Sequence, residues 1–131
     1  MILYHFTGAQ QWPAILASGE ISATWPGDLD RLSCARVAHF TSSPDPAALP
    51  EARRSSRVRL RVEVPDADAR PWLPWLRRNL PPGAHWLLGA RRPGNGQPGT
   101  WYVTERAVPL REWSEAVDVD THVCLWPPRP E

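Results

Sequence analysis

ILYHFTGAQQWPAILASGEI, running from Ile2 to Ile21, reads as strand, turn, helix and strand in quick succession, and this stretch decides the fold class. Ile2 to Thr7 is a short apolar run rich in strand formers, the pattern of a buried first strand. Thr7-Gly8 breaks it. Gln10 to Leu16 follows with Trp12, Ile15 and Leu16 on one helical stripe, and Pro13 is tolerable only in the first turn. Ser18-Gly19 stops the helix, because glycine past a helix end accepts the left-handed conformation without steric penalty. Glu20 to Ala23 is then expected to be a second short strand.

Outward from there, Arg36 to Thr41 reads as a strand with Val37, His39 and Thr41 on one face and Ala38 and Phe40 on the other. Ser42 to Glu51 holds three prolines and reads as a loop or one turn of helix. Ser56 to Val64 alternates: Val58, Leu60, Val62 and Val64 face one way, and Arg57, Arg59, Arg61 and Glu63 the other. That is a half-exposed strand with a charged outer face. Pro71 to Leu80 is expected to be a short helix with Trp72, Leu73, Trp75 and Leu76 apolar, and His85 to Ala90 a second one. Arg91 to Gly99 is a loop, Thr100 to Glu105 a strand, Leu110 to Trp113 a turn, and His122 to Trp126 a last strand. The expected fold is α+β: a small mixed or antiparallel sheet with a few short helices, one domain over residues 1–126 and a proline-rich tail over 127–131.

Composition narrows the chemistry. The 131 residues carry a net charge of +1, so no global field favours nucleic acid or membrane. All 15 basic residues are arginine, which removes lysine as nucleophile, Schiff base or phosphate ligand. Four histidines and the distant Cys34 and Cys124 match no metal spacing, so no metal is expected. Cys34 and Cys124 are open to pairing or to life as two buried thiols. No GxGxxG, lysine phosphate loop or GxSxG elbow is present. The N-terminus lacks a signal-peptide pattern and no apolar run reaches the roughly 18 residues of a membrane span. A cytoplasmic protein without a membrane partner is the expectation.

What remains is a set of polar residues in apolar strands: His5 and Thr7; His39 with Thr41 to Ser43; and Tyr102 with Thr104 and Glu105. Polar groups at strand ends are hydrogen-bonded or exposed, since burying them bare costs a few kcal/mol. Three such clusters on three strands form the pattern of a polar cleft. Tyr4-His5-Phe6-Thr7 is echoed by Ala38-His39-Phe40-Thr41. Read as chemistry, His5 and His39 are candidates for the acid and base of a small nuclease. Read as structure, each is a satisfied strand histidine, Glu105 is a strand-end charge, the Arg57, Arg59 and Arg61 face is simply solvated, and the eight tryptophans are mostly core.

Leu3 to Ile21, "LYHFTGAQQWPAILASGEI", resembles the first strand and helix of the ADP-ribosyltransferase superfamily. It is nearest the group of DNA-targeting ADP-ribosyltransferase toxins and RNA 2'-phosphotransferases, in a short form of actinobacterial or phage type. "VAHFTSSPD" then takes the place of the second-motif strand and "GTWYVTERAVP" that of the late strand with the catalytic glutamate. The resemblance implies NAD as substrate and a split-sheet core. It implies that His5 bonds a ribose hydroxyl, that Thr7 holds the nicotinamide end, and that Thr41, Ser42 or Ser43 forms the second wall. Tyr102 joins the NAD-binding set, Arg31 and Arg36 are the candidates for the pyrophosphate, and Glu105 is the catalytic carboxylate. The transition state is oxocarbenium-like, and a fixed carboxylate stabilises its charge. Val103 stands where protein-modifying toxins carry Glu or Gln, which turns the expected acceptor toward a nucleic acid or nucleotide. A toxin or phage-conflict role with an antitoxin partner belongs to the same implication, as does a catalytically inactive member that keeps NAD or nucleic-acid binding.

Overall fold

β1 (Ile2–Thr7) stands at the centre of the computed structural model, which describes residues 1–24, 36–50, 53–79 and 96–128. Its neighbours are β3 (Ala38–Thr41) and β4 (Val58–Glu63), both antiparallel to it. β6 (Trp101–Thr104) and the two-residue β5 (Arg70–Pro71) continue the sheet beyond β3; β8 (Trp113–Asp118) and β9 (Cys124–Trp126) continue it beyond β4. The seven strands run in the order β5-β6-β3-β1-β4-β8-β9, and each neighbouring pair is antiparallel. β2 (Glu20–Ile21) and β7 (Val108–Pro109) make a separate two-stranded sheet, so the division into two sheets is unequal. With the helices α1 (Trp12–Ser18) and α2 (Trp72–Asn79) this is a small α+β fold.

Period-two alternation divides the sheet into two buried faces. Leu3, Ala38, Phe40, Val58, Leu60, Val62 and Ala116 share one core with Trp12 of α1 and with Trp113. Val37, Trp101 and Val103 share the other with Trp72, Trp75 and Leu76 of α2. The opposed faces expected for 36–41 and the apolar face of β4 are both seen. α1 begins two residues later than the apolar stripe suggests, with Pro13 in its first turn. It ends where expected, at Gly19 (φ 70°), whose N–H donates to the Ile15 carbonyl at 3.0 Å. Gly96 (φ 70°) has a stricter requirement. A Cβ there would collide with the backbone carbonyls of Ala48 and Leu49, so the segment entering β6 can lie on the turn after β3 only with glycine.

Four strands depart from the sequence expectation. β2 spans two residues rather than four, and the two-residue strands β5 and β7 are too short to show a period. β8 is absent from the expected elements altogether. Its register shifts opposite Arg61/Val62 and again at Ala116/Val117, and its two buried residues, Trp113 and Ala116, fall three apart. Such irregularities erase the alternation by which a strand is recognised. The expected helix 85–90 lies outside the described residues, as do Trp25 and Cys34. Among the described residues no helix is long and apolar enough to cross a membrane.

Candidate functional site

The pairing of β1 with β4 determines which residues meet at the open end of β1. Thr7 stands opposite Val58, so the chain just before β4 lies beside the chain just after β1. A tight turn follows: the Arg53 N–H donates to Pro50 at 2.8 Å and the Ser56 N–H to Arg53 at 3.0 Å. Between them opens a cleft of roughly 390 Å³ lined by His5, Phe6, Thr7, Gly8, Gln11, Arg53, Ser55 and Ser56. Its size is within the range of small-molecule sites.

His5 is fixed in one tautomer. Its Nδ1 lies 2.8 Å from the His39 carbonyl, which can only accept, so Nδ1 carries the proton and Nε2 is left as the acceptor. The ring meets Phe40 at 5.6 Å. Burial pushes the His5 pKa down to about 4 against the opposing effect of the His39 hydrogen bond, and the Arg53 charge adds to the depression. His39 is likewise lowered to about 4, by burial first and then by the charges of Arg53 and His5. Its ring stands edge-on to Trp72 at 5.2 Å, toward the α2 core. Both imidazoles are therefore neutral at pH 7.

A pH dependence of stability follows. Unfolded, each ring titrates near its ordinary value of 6.5; folded, near 4. The unfolded chain thus binds more protons between those values, and the folded state loses stability as pH falls from about 6.5 toward 4. One unit of pKa difference is worth about 1.4 kcal/mol, so the two rings together remove on the order of a few kcal/mol. Denaturant unfolding at pH 7.5, 6 and 5 should show this loss. Unchanged stability across that range would contradict the burial of the two rings.

Glu105 occupies a different place. It follows β6 on the side of α2, where the Trp75 indole N–H donates to its Oε1 at 2.9 Å and the Arg70 Nε lies 3.5 Å from the same oxygen. Its two chain neighbours hold it still. The buried Thr104 hydroxyl donates to the Arg106 carbonyl at 2.7 Å, while the Arg106 guanidinium grips Glu112 at 2.6 Å and Asp68 at 2.9 Å. The bond to Glu112, more than any other influence, raises the Arg106 pKa further above its ordinary value. The Glu105 side chain is still 40% exposed. His5 belongs with the Phe40 face and Glu105 with the Trp75 face, so the sheet separates the two residues.

Of the other expected site residues, Thr7 lines the cleft beside His5. Thr41 is buried, with its hydroxyl donating to Thr100 Oγ1 at 3.1 Å and accepting from the Ser43 N–H at 3.1 Å. The Ser42 N–H donates to the Thr100 carbonyl at 2.8 Å, and Ser43 Oγ accepts from the Asp45 N–H at 3.2 Å. Thr41 and Ser42 anchor the chain after β3 to the segment entering β6, Ser43 bonds only within its own turn among the described residues, and none of the three lines the cleft. Tyr102 is half-buried against the first core. Arg36 is exposed just ahead of β3 and is not among the lining residues; Arg31 lies outside the described residues. The three polar clusters therefore separate, and only the first of them is in the cleft. Gln11, Arg53, Ser55 and Ser56 are lining residues that the sequence did not single out. The signal that could have found them is the Arg-Arg-Ser-Ser run just before a strand that pairs with β1. Among the described residues no three His, Cys, Asp or Glu side chains gather as metal ligands.

No protein-family model matches the chain, and no curated protein does. Among solved structures it is similar to the crystal structure of protein CC0527 from Caulobacter crescentus, with a TM-score of 0.50 and 16% identity over 90% of this chain and 85% of that one. At such identity the likeness concerns the α+β fold alone.

Proposed function

We propose that the chain binds NAD in the cleft at the end of β1, as an ADP-ribosyltransferase-like protein. The observation that carries this reading is the state of His5: a neutral imidazole whose Nδ1–H is committed to the His39 carbonyl and whose Nε2 is an acceptor at a polar cleft. A ribose hydroxyl is a suitable donor to such a nitrogen, and the Thr7 hydroxyl beside it offers both a donor and an acceptor. The resemblance of Leu3–Ile21 supplies NAD as the ribose-bearing ligand.

The second reading adds turnover, with ADP-ribose transferred to a nucleic acid or nucleotide. It is favoured by the fixed, partly exposed carboxylate of Glu105, since a preorganised charge is what an oxocarbenium-like transition state needs. Binding takes precedence because His5 and Glu105 stand on different faces of the sheet. The nuclease reading draws no support: both histidines are neutral at pH 7, neither is a ready acid, and His39 faces Trp72.

Calorimetric titration with NAD and an assay of nicotinamide release separate these readings. Under the transfer reading, Glu105→Gln lowers release at least about a hundredfold while NAD affinity is kept. NAD bound without release by the unaltered protein leaves binding alone. No NAD binding at all removes both.

A further inference from the structure

The basic residues around the cleft differ in what they already hold. The Arg54 Nε donates to the Leu49 carbonyl at 3.2 Å, Arg57 pairs with Asp118 at 2.7 Å, and Arg59 donates to the Pro44 carbonyl at 3.0 Å while lying over the Tyr4 ring. Arg53 has no ion pair among the described residues, is exposed, and lines the cleft together with Ser55 and Ser56. None of the described lining residues is acidic. Among the described residues, the site combines one guanidinium without an ion pair, the hydroxyls of Thr7, Ser55 and Ser56, the amide of Gln11 and no carboxylate, a set complementary to an anion. Its field is positive enough to be felt at His5 and His39, both of which the Arg53 charge helps to keep neutral.

We infer that the Arg53–Ser56 turn is the phosphate-binding wall of this cleft, with the Arg53 guanidinium and the Ser55 and Ser56 hydroxyls taking the oxygens of a pyrophosphate group. This rests on the proposed NAD reading for the identity of the ligand, but the wall itself is defined by its own side chains. A planar guanidinium meets two phosphate oxygens at once, and the serines supply short donors on the same turn. The role expected from the sequence for Arg31 or Arg36 passes to Arg53. His5 and the phosphate wall then line the same cleft, so one ligand can offer a ribose to the first and a phosphate to the second.

The test titrates three probes, inorganic pyrophosphate, NAD and adenosine, into the unaltered protein and into Arg53→Gln, with Arg53→Lys as the conservative variant. The expected result is that pyrophosphate binds, that Arg53→Gln weakens it tenfold or more, that Arg53→Lys restores part of the loss, and that any adenosine affinity is unchanged. Arg53 is exposed, so circular dichroism should report an intact fold in both variants. Pyrophosphate that binds both proteins equally, or neither, overturns the inference even if NAD binds. Arg53-dependent pyrophosphate binding without NAD binding upholds the phosphate wall and removes the NAD reading instead.

Discussion

Replacing Trp75 by alanine is expected to destabilise the chain by about 3–5 kcal/mol, the range measured when large aromatic side chains are removed from cores. Trp75 is fully buried, stacks on Trp72 with ring centroids 5.7 Å apart, and belongs to the cluster that seals β3 and β6 under α2. Its loss would empty the largest fully buried side-chain volume in the described structure and release the Glu105 carboxylate from its indole donor. Small domains have only about 5–15 kcal/mol of stability in total, so the variant should unfold near physiological temperature or be recovered in low yield. Trp75→Phe separates the two contributions. It keeps most of the stacking and forfeits the hydrogen bond, for a smaller loss of about 1–3 kcal/mol including the missing ring volume. Thermal unfolding of the two variants checks the order, and an alanine variant that melts like the unaltered protein would contradict the packing of α2.

The second large effect falls on binding. His5→Ala is expected to weaken NAD affinity about ten- to hundredfold, because a ribose hydroxyl enclosed by the cleft would lose its acceptor while still losing its water. The same substitution removes the ring contact with Phe40 and leaves the His39 carbonyl without its donor, so some loss of stability accompanies it. His5→Asn distinguishes the two consequences. It keeps a polar side chain within the strand but changes the acceptor's reach, and so should retain more of the fold than of the affinity. Equal NAD affinity in a folded His5 variant would remove His5 from the binding site.

Part of the fold was legible because β4 alternates cleanly and β1, β3 and β6 are runs of strand formers. β4, with Val58, Leu60 and Val62 inward and Arg59 and Arg61 outward, needs no tertiary knowledge, and neither does the helix stop at Gly19. β8 was not legible, because its register shifts break the period. The site was legible only on β1. His5 and Thr7 were found because polar residues within an apolar strand call for partners. Arg53, Ser55 and Ser56 were missed because their proximity to Gly8 follows from the pairing of Thr7 with Val58, a long-range fact that no local pattern carries. For Glu105 the sequence could show a carboxylate after a strand. It could not show that Trp75, thirty residues earlier, would turn that carboxylate to the α2 side.

The most direct measurement is an NAD titration of isotope-labelled protein followed by amide and imidazole resonances. The account predicts saturable shifts concentrated at His5, Thr7, Gly8, Gln11, Ser55 and Ser56, with a perturbed His5 Nε2 and an unperturbed Trp75 indole. Shifts gathered instead around Trp75, Arg70 and Glu105, or no shifts at millimolar NAD, would contradict it.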